Sequence, residues 1–129
     1  DLHRLNPVGR LDKDSSGLLL LTTDGLLANR LTHPRYAKEK IYEVKLDKPL
    51  VDADRAAIEQ GITVEDYTSR LRLQSLASNT WRVAMHEGKN RQIRRTFAAR
   101  GYTVTKLHRT QFGDYRLGSL LAGKYTIVS

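Results

Sequence analysis

The feature that most constrains the fold is a run of four leucines, Leu18–Leu21, with Gly17 before it and Gly25 shortly after it. The run is short and bounded by glycine, which predicts a strand buried on both faces rather than an amphipathic one. The turn before it carries Asp12 and Asp14 among basic residues. A carboxylate held at the end of a buried strand is a candidate for chemistry. A polar turn in which an aspartate side chain hydrogen-bonds the nearby backbone explains the positions of Asp12 and Asp14 as well.

Length and charge restrict the class of protein. At 129 residues the chain is long enough for one domain with a hydrophobic core. It carries 22 basic and 14 acidic residues, and this excess indicates an anionic partner, nucleic acid before a membrane surface. The chain has no cysteine, which excludes disulfides and thiolate chemistry. No apolar stretch approaches the ~20 residues of a membrane span, so we expect a cytoplasmic protein without a membrane partner.

The hydrophobic periodicity predicts an α+β fold. Segments that alternate apolar and polar residues are typical of half-buried strands, and three other segments have helical spacing with plausible ends. We expect strands over 17–22, 40–46, 70–76, 81–86, 103–107 and 125–128, and helices over 25–33, 52–60 and 90–100. Asp24 is the expected N-cap of the first of these helices. The order strand, helix, hairpin, helix, strand is that of a split βαβ arrangement. It predicts a mainly antiparallel mixed sheet with helices packed on it.

Positive charge is concentrated at the start of the last predicted helix. Lys89, Arg91, Arg94 and Arg95 lie within seven residues there. The N-terminus of a helix already favours anions, so four cations weaken the helix unless an anion binds beside them. A solvated basic face explains this segment equally well. Two further basic clusters are Lys106, His108 and Arg109, and Arg4, Arg10 and Lys13. If the sheet brings the clusters together, they form a groove suited to phosphates.

Four motifs follow one another over nearly the whole chain. They are Gly-Arg-Leu-Asp at 9–12 with Ser-Gly-Leu-Leu-Leu at 16–20 and Thr-Asp-Gly at 23–25, Lys-Ile-Tyr at 40–42, Glu-Gly-Lys-Asn-Arg-Gln-Ile-Arg-Arg at 87–95, and Leu-His-Arg at 107–109 with Gly113. In this order they resemble the motifs of RNA pseudouridine synthases, and most closely the RsuA-type family that modifies ribosomal RNA. Gly-Arg-Leu-Asp alone would not be specific.

The resemblance implies an isomerase that breaks the N1–C1′ bond of a uridine in RNA, turns the uracil and rejoins it through C5. By position, Asp12 matches the nucleophilic aspartate, and Tyr42 the tyrosine that stacks on the base and is a candidate for proton abstraction. Arg94 matches the arginine that pairs with the aspartate, Leu107 matches an apolar wall of the pocket, and Arg10 supports the active-site loop. The further residues expected to bind RNA are Lys40, Lys89, Arg91, Arg95 and Arg109.

The resemblance also sets expectations for partners and boundaries. It implies RNA as the partner, most of all ribosomal RNA, with no cofactor, no metal and no obligatory protein partner. Family members usually carry a small RNA-binding domain first. We therefore expect residues 1–129 to be one catalytic domain, truncated at its N-terminus and lacking that accessory domain.

Two alternatives to the isomerase stay open at this point. An RNA-binding module without turnover explains the charge, but it gives Asp12 no role. A glycoside hydrolase would use Asp12 and Asp14 as its carboxylate pair, but the strong positive charge argues against a carbohydrate site. The four histidines fall on separate elements without the spacing of metal ligands. We interpret Asp14 as a solvated or structural turn residue.

Overall fold

The computed structural model describes residues 5–33 and 38–128, which form three helices and ten strands. The predicted contribution of Arg4 to a basic cluster lies outside the described residues. The helices are α1 (Gly25–Thr32), α2 (Asp52–Gln60) and α3 (Gln92–Ala99). The strands are β1 (Asn6–Val8), β2 (Ser16–Gly17), β3 (Leu20–Thr22), β4 (Lys40–Leu46), β5 (Ile62–Val64), β6 (Tyr67–Ser69), β7 (Arg72–Ala77), β8 (Thr80–Met85), β9 (Val104–Phe112) and β10 (Tyr115–Arg116).

The main sheet has the path β10-β9-β4-β8-β7, and β2 joins it by pairing in parallel with β9. Within it, β4, β7, β8 and β9 stand in the order expected of a split βαβ unit, with antiparallel neighbours. β4 alternates apolar and polar residues, so Tyr42, Val44 and Leu46 are buried on one face. Ile58 of α2 and Phe97 of α3 join the same apolar core. The predicted α+β fold is confirmed.

A smaller unit lies beside one end of this sheet. β1 and β3 form their own antiparallel pair, and α1 follows β3 directly. The Asp24 carboxylate accepts hydrogen bonds from the N–H groups of Leu26 and Leu27, at 3.0 and 3.2 Å, which caps α1 as the sequence predicts. A second apolar cluster joins Val8 and Phe112, and so connects the smaller unit to the end of β9.

Two strand predictions were wrong. The leucine run is not one strand buried on both faces, because β2 pairs only with β9 while β3 pairs with β1 in a separate sheet. The side chains of Leu19 and Leu21 consequently stay 41% and 50% exposed. The segment 125–128 forms no strand, and its side chains are exposed. An alternating pattern becomes a strand only where a partner strand lies beside it, and the described part of the chain offers it none.

One strand is longer than predicted, and several short strands were not predicted. β9 continues to Phe112, well beyond the expected end at residue 107. The β5–β6 hairpin, β1 and β10 were not predicted, because strands of two or three residues are too short for alternation to be recognised. Among the described residues, none of the helices has the length and apolar character needed to cross a membrane.

Candidate active site

A cavity of about 530 Å³ opens between the start of α3, the middle of the main sheet and residues 9–15, here called the Asp12 loop. The predicted site residues that line it are Arg10, Asp12, Lys40, Tyr42, Lys89, Arg91, Leu107 and Arg109. Apolar side chains, among them Met85, Ile93 and Phe112, complete the wall. The fold therefore brings all four sequence motifs to one place, and the cavity combines apolar surface with cations. Arg94 and Arg95 lie outside the lining.

The Asp12 loop is a tight turn that is held against β9. The Ser15 N–H donates a hydrogen bond to the Asp12 carbonyl at 2.9 Å, which closes the turn. Gly17 lies opposite Arg109 in the parallel β2–β9 pair, and the next N–H, that of Leu18, donates to the Arg109 carbonyl at 2.8 Å. The Asp12 carboxylate consequently sits at the rim of the cavity, where its side chain is 30% exposed.

Arg109 is a buried cation in the floor of the cavity, with 2% of its surface exposed. Its Nε donates to the Leu18 carbonyl at 2.9 Å, and its Nη1 reaches the Arg10 carbonyl at 3.5 Å. Its guanidinium carbon lies 5.2 Å from the centre of the Phe112 ring. Arg109 was expected to bind RNA. In the structure, however, these two nitrogens bond backbone carbonyls at the two ends of the segment that carries Asp12.

Tyr42 and Lys40 extend into the cavity from β4. Tyr42 is buried, and burial raises the pKa of its phenol, while the neighbouring Arg109 cation opposes that shift. The phenol is therefore neutral near pH 7. The Lys40 ammonium donates to the Glu87 carbonyl at 3.1 Å and lies 5.5 Å from the centre of the Phe112 ring. Burial, and then Arg109, lower the pKa of Lys40.

The arginines of α3 pair with the Asp12 loop differently from the expectation. Arg94 was expected to pair with Asp12, but its Nη2 donates to the Asp14 carbonyl at 2.7 Å and its Nη1 to the Val104 carbonyl at 3.2 Å. Arg91 holds the Asp14 carboxylate through two hydrogen bonds, of 2.9 and 2.8 Å, and lies 3.7 Å from a carboxylate oxygen of Asp12. In this structure, therefore, Arg91 is the arginine beside Asp12.

Asp14 is more than a solvated turn residue. Its hydrogen bonds with Arg91 are the main cause that lowers the pKa of its carboxyl to about 2, with a smaller contribution from the charge of Arg94. The same contact raises the pKa of Arg91. Arg95 points elsewhere, because it forms an ion pair with Glu65 at 2.8 Å, on the β5–β6 hairpin.

The sequence reasoning missed a buried polar residue that supports the cavity. Gln92 is 1% exposed, its Nε2 donates to the Ser69 hydroxyl at 3.1 Å, and its Oε1 accepts from the Lys89 N–H at 3.2 Å. Ser69 in turn bonds the Thr96 hydroxyl at 2.7 Å. Gln92 thus fixes the segment that carries Lys89. Its position directly before the core residue Ile93, inside the third motif, was the available signal.

The described residues give no indication of a metal centre. Across 5–33 and 38–128, no group of three or more His, Asp or Glu side chains is placed to hold a metal ion. The expected absence of metal and cofactor stays a prediction.

The comparisons with known proteins identify the family of this chain. The model of the family described as RNA pseudouridylate synthase matches residues 2–99, most of the chain and three of its four motifs. The chain belongs to this family. It is 39% identical over 128 residues to the ribosomal large subunit pseudouridine synthase B of Bacillus subtilis (strain 168), covering 94% of this chain and 52% of that protein. The family resemblance noted in the sequence is thereby confirmed.

Other relatives carry the same family assignment. The ribosomal small subunit pseudouridine synthase A of Salmonella typhimurium (strain LT2) is 37% identical over 127 residues, covering 95% of this chain and 55% of that protein. The chain thus spans about half the length of these two curated relatives.

Two solved structures have folds similar to that of this chain. A crystal structure of a pseudouridylate synthase superposes with a TM-score of 0.85 at 37% identity, covering 89% of this chain and 51% of that one. The archaeal box H/ACA sRNP Nop10–Cbf5 complex contains a chain that matches with a TM-score of 0.58 at 20% identity, covering 87% of this chain and 39% of that one. The second likeness shows the shared fold alone.

Proposed function

We propose that this chain isomerises a uridine in RNA to pseudouridine and that its substrate is ribosomal RNA. The observation that carries the proposal is the placement of Asp12 at the rim of a cavity that also contains Tyr42 and Leu107. A carboxylate, an aromatic ring and an apolar wall around one space suit a flat base that must be attacked. The curated relatives bear the names of synthases for the large and the small ribosomal subunit, which supports ribosomal RNA as the class.

The reaction exchanges one bond for another at the same sugar carbon. The N1–C1′ bond breaks and its electron pair passes to the uracil. The ring turns, C5 bonds to C1′, the proton on C5 leaves, and N1 gains a proton, so that the product is an isomer of the substrate. Asp12 acts as the nucleophile of the first step, and the bond that it forms to the substrate breaks again before the product leaves, so that the carboxylate is regenerated. Tyr42 packs against the base, and its neutral phenol is a hydrogen-bond donor or acceptor at pH 7.

The cations around the cavity account for RNA binding. A uridine must leave its stack before its glycosidic bond can be reached, which costs a few kcal/mol. Contacts of Lys89 with phosphates would offset that cost, because Lys89 lines the cavity and is exposed. We further propose that residues 1–129 act as one catalytic domain.

The test is the release of tritium from ribosomal RNA transcripts labelled at uridine C5, because the C5 proton is lost only when the base rejoins through that carbon. We expect release by the native chain and a loss on the order of 10⁶-fold in Asp12→Asn, the size found when a catalytic nucleophile is removed. Asp66→Asn is the matched control, because it makes the same chemical change at an exposed position in the turn between β5 and β6.

Two results would contradict the proposal. If Asp12→Asn keeps the native rate, Asp12 is not the nucleophile. If neither the 129-residue chain nor the complete gene product releases tritium while both bind the transcripts, the protein is an RNA-binding module without turnover.

A further inference from the structure

Asp14 is the most heavily engaged carboxylate near the cavity, although the function proposed above gives it no task. Its two carboxylate oxygens accept hydrogen bonds of 2.9 and 2.8 Å from Nη1 and Nη2 of Arg91. A second arginine, Arg94, approaches the same residue and lies 3.4 Å from a carboxylate oxygen through its Nε. Two-pronged contacts between guanidinium and carboxylate fix direction as well as distance.

Arg94 anchors Asp14 to the main sheet. Its Nη2 donates to the Asp14 carbonyl at 2.7 Å, while its Nη1 donates to the Val104 carbonyl at 3.2 Å. Val104 is the buried first residue of β9, so the anchor reaches the core of the fold. The Arg94 side chain is only 15% exposed, and it is therefore less free to move than Arg91 or Asp14.

Arg91 is in turn the residue that meets Asp12. Its Nη1 lies 3.7 Å from Oδ2 of Asp12, and this is the ion pair that Asp12 makes within the described residues. The Arg91 side chain is 38% exposed and long. Without a second contact such a side chain samples many rotamers. The contact with Asp14 removes that freedom and leaves the guanidinium directed at Asp12.

We propose that Asp14 is a positioning residue that orients Arg91 toward Asp12, and that Arg94 acts on the reaction through Asp14. The contacts form a continuous path from β9 through Arg94, Asp14 and Arg91 to Asp12. This inference rests on the proposed function, since Asp12 is taken as the nucleophile. It accounts for the absence of an Asp12–Arg94 pair in the structure.

A role of Asp14 in positioning and a role in stability predict different effects when its side chain is removed. The side chain of Asp14 is 48% exposed, and ion pairs with that exposure typically add little to the stability of a fold. Removing Asp14 should therefore leave the melting temperature nearly unchanged. A displacement of about 1 Å at a reacting group can lower a rate by roughly a hundredfold. The effect should thus appear in kcat.

The experiment compares Asp14→Ala, Asp14→Asn, Arg94→Met and the double variant Asp14→Ala/Arg94→Met with the native enzyme. Asp66→Ala is the control, because Asp66 is exposed in the turn between β5 and β6. Tritium release under saturating transcript gives kcat, and a binding titration gives RNA affinity. We expect Asp14→Ala to lower kcat by roughly tenfold to a hundredfold without weakening RNA binding. The kcat of Asp14→Asn should lie between that of Asp14→Ala and that of the native enzyme, because the amide oxygen of the asparagine still accepts one hydrogen bond from Arg91.

The double variant tests the path itself. If Arg94 acts through the Asp14 carboxylate, Arg94→Met slows Asp14→Ala less than it slows the native enzyme, although the hydrogen bond from Arg94 to the Asp14 carbonyl persists in Asp14→Ala. Losses that multiply would overturn that part of the proposal. A kcat of Asp14→Ala within twofold of the native value, with native activity established, would overturn the positioning role. A native enzyme without activity would instead contradict the proposed function.

A measurement without turnover completes the test. The NMR order parameter of the Arg91 Nε–H bond reports how firmly this guanidinium is held. We expect it to fall in Asp14→Ala and to stay at the native value in Asp66→Ala. An unchanged value in Asp14→Ala would refute the orientation of Arg91 by Asp14, whatever the activity of the protein.

Discussion

Gly17 shows at the scale of one residue how the Asp12 loop is fixed. Its φ is +114°, a conformation that residues with a side chain rarely adopt. A Cβ at this position would lie 2.1 Å from the carbonyl oxygen and 2.5 Å from the nitrogen of Arg109. The missing side chain therefore allows β2 to pair with β9, and this pairing places the end of the Asp12 loop beside the cavity.

We predict that Gly17→Ala costs roughly 3 kcal/mol or more of unfolding free energy, because both the backbone conformation and the contact with β9 must change. Urea denaturation measures the loss, and tritium release should fall with it. Gly25→Ala is the control, since a Cβ there meets no heavy atom within 4 Å at the start of α1. Equal stability of the two variants would contradict the account of Gly17.

At the scale of secondary structure, α2 protects an edge of the main sheet. β7 is the last strand on its side, and the backbone groups of Leu73 point away from β8. The Leu73 N–H donates to the Glu59 carboxylate at 3.2 Å, and its carbonyl accepts from Arg55 at 3.1 Å. Arg55 and Glu59 are themselves 3.4 Å apart on α2. Two side chains thus replace part of a missing strand, which reduces edge-to-edge association.

We predict that Glu59→Ala lowers the unfolding free energy by roughly 1 kcal/mol, because the Leu73 N–H loses its acceptor. Glu59→Gln keeps an acceptor oxygen at the same distance from the backbone, so its loss should be smaller. Light scattering on heating should rise earlier for the alanine variant. If both variants unfold at the same urea concentration, the hydrogen bond to Leu73 is not what Glu59 contributes.

At the scale of the whole molecule, half of the net charge of +8 lies in the lining of one cavity, where six cations face two carboxylates. The charged residues in its lining are Arg10, Lys38, Lys40, Lys89, Arg91 and Arg109 against Asp12 and Glu87. Such an excess attracts the phosphate backbone of RNA and makes binding depend on salt, because bound counterions are released. Lys89 is exposed at this rim, so it is available to a phosphate.

We predict that RNA affinity falls steeply between about 50 and 200 mM salt, and that Lys89→Ala reduces the slope of log K against log salt by about 0.7 to 0.9. Lys124→Ala removes the same charge at an exposed position outside the cavity and should leave the slope unchanged. Fluorescence anisotropy with a labelled transcript measures both. Equal slopes for Lys89→Ala and the native chain would mean that Lys89 contacts no phosphate.

The sequence by itself determined the elements whose signals are local. Alternation over 40–46 predicted β4 and its buried face, and Asp24 predicted the start of α1, because both depend on neighbours within a few residues. The order of the motifs indicated the family and placed Asp12 and Tyr42 as candidates for one site. Tyr42 belongs to β4 of the split βαβ unit, whereas Asp12 reaches the same cavity because β2 pairs with β9.

Only the tertiary structure decided the partners of the charged groups. Arg94 bonds Asp14 across 80 residues of sequence, and Arg109 bonds Leu18 across 91. No periodicity encodes contacts of that range, because they depend on how β9, α3 and the Asp12 loop pack. The same holds for the leucine run, whose exposure was set by the separate pairing of β2 and β3. Packing thus determined which arginine lies beside Asp12.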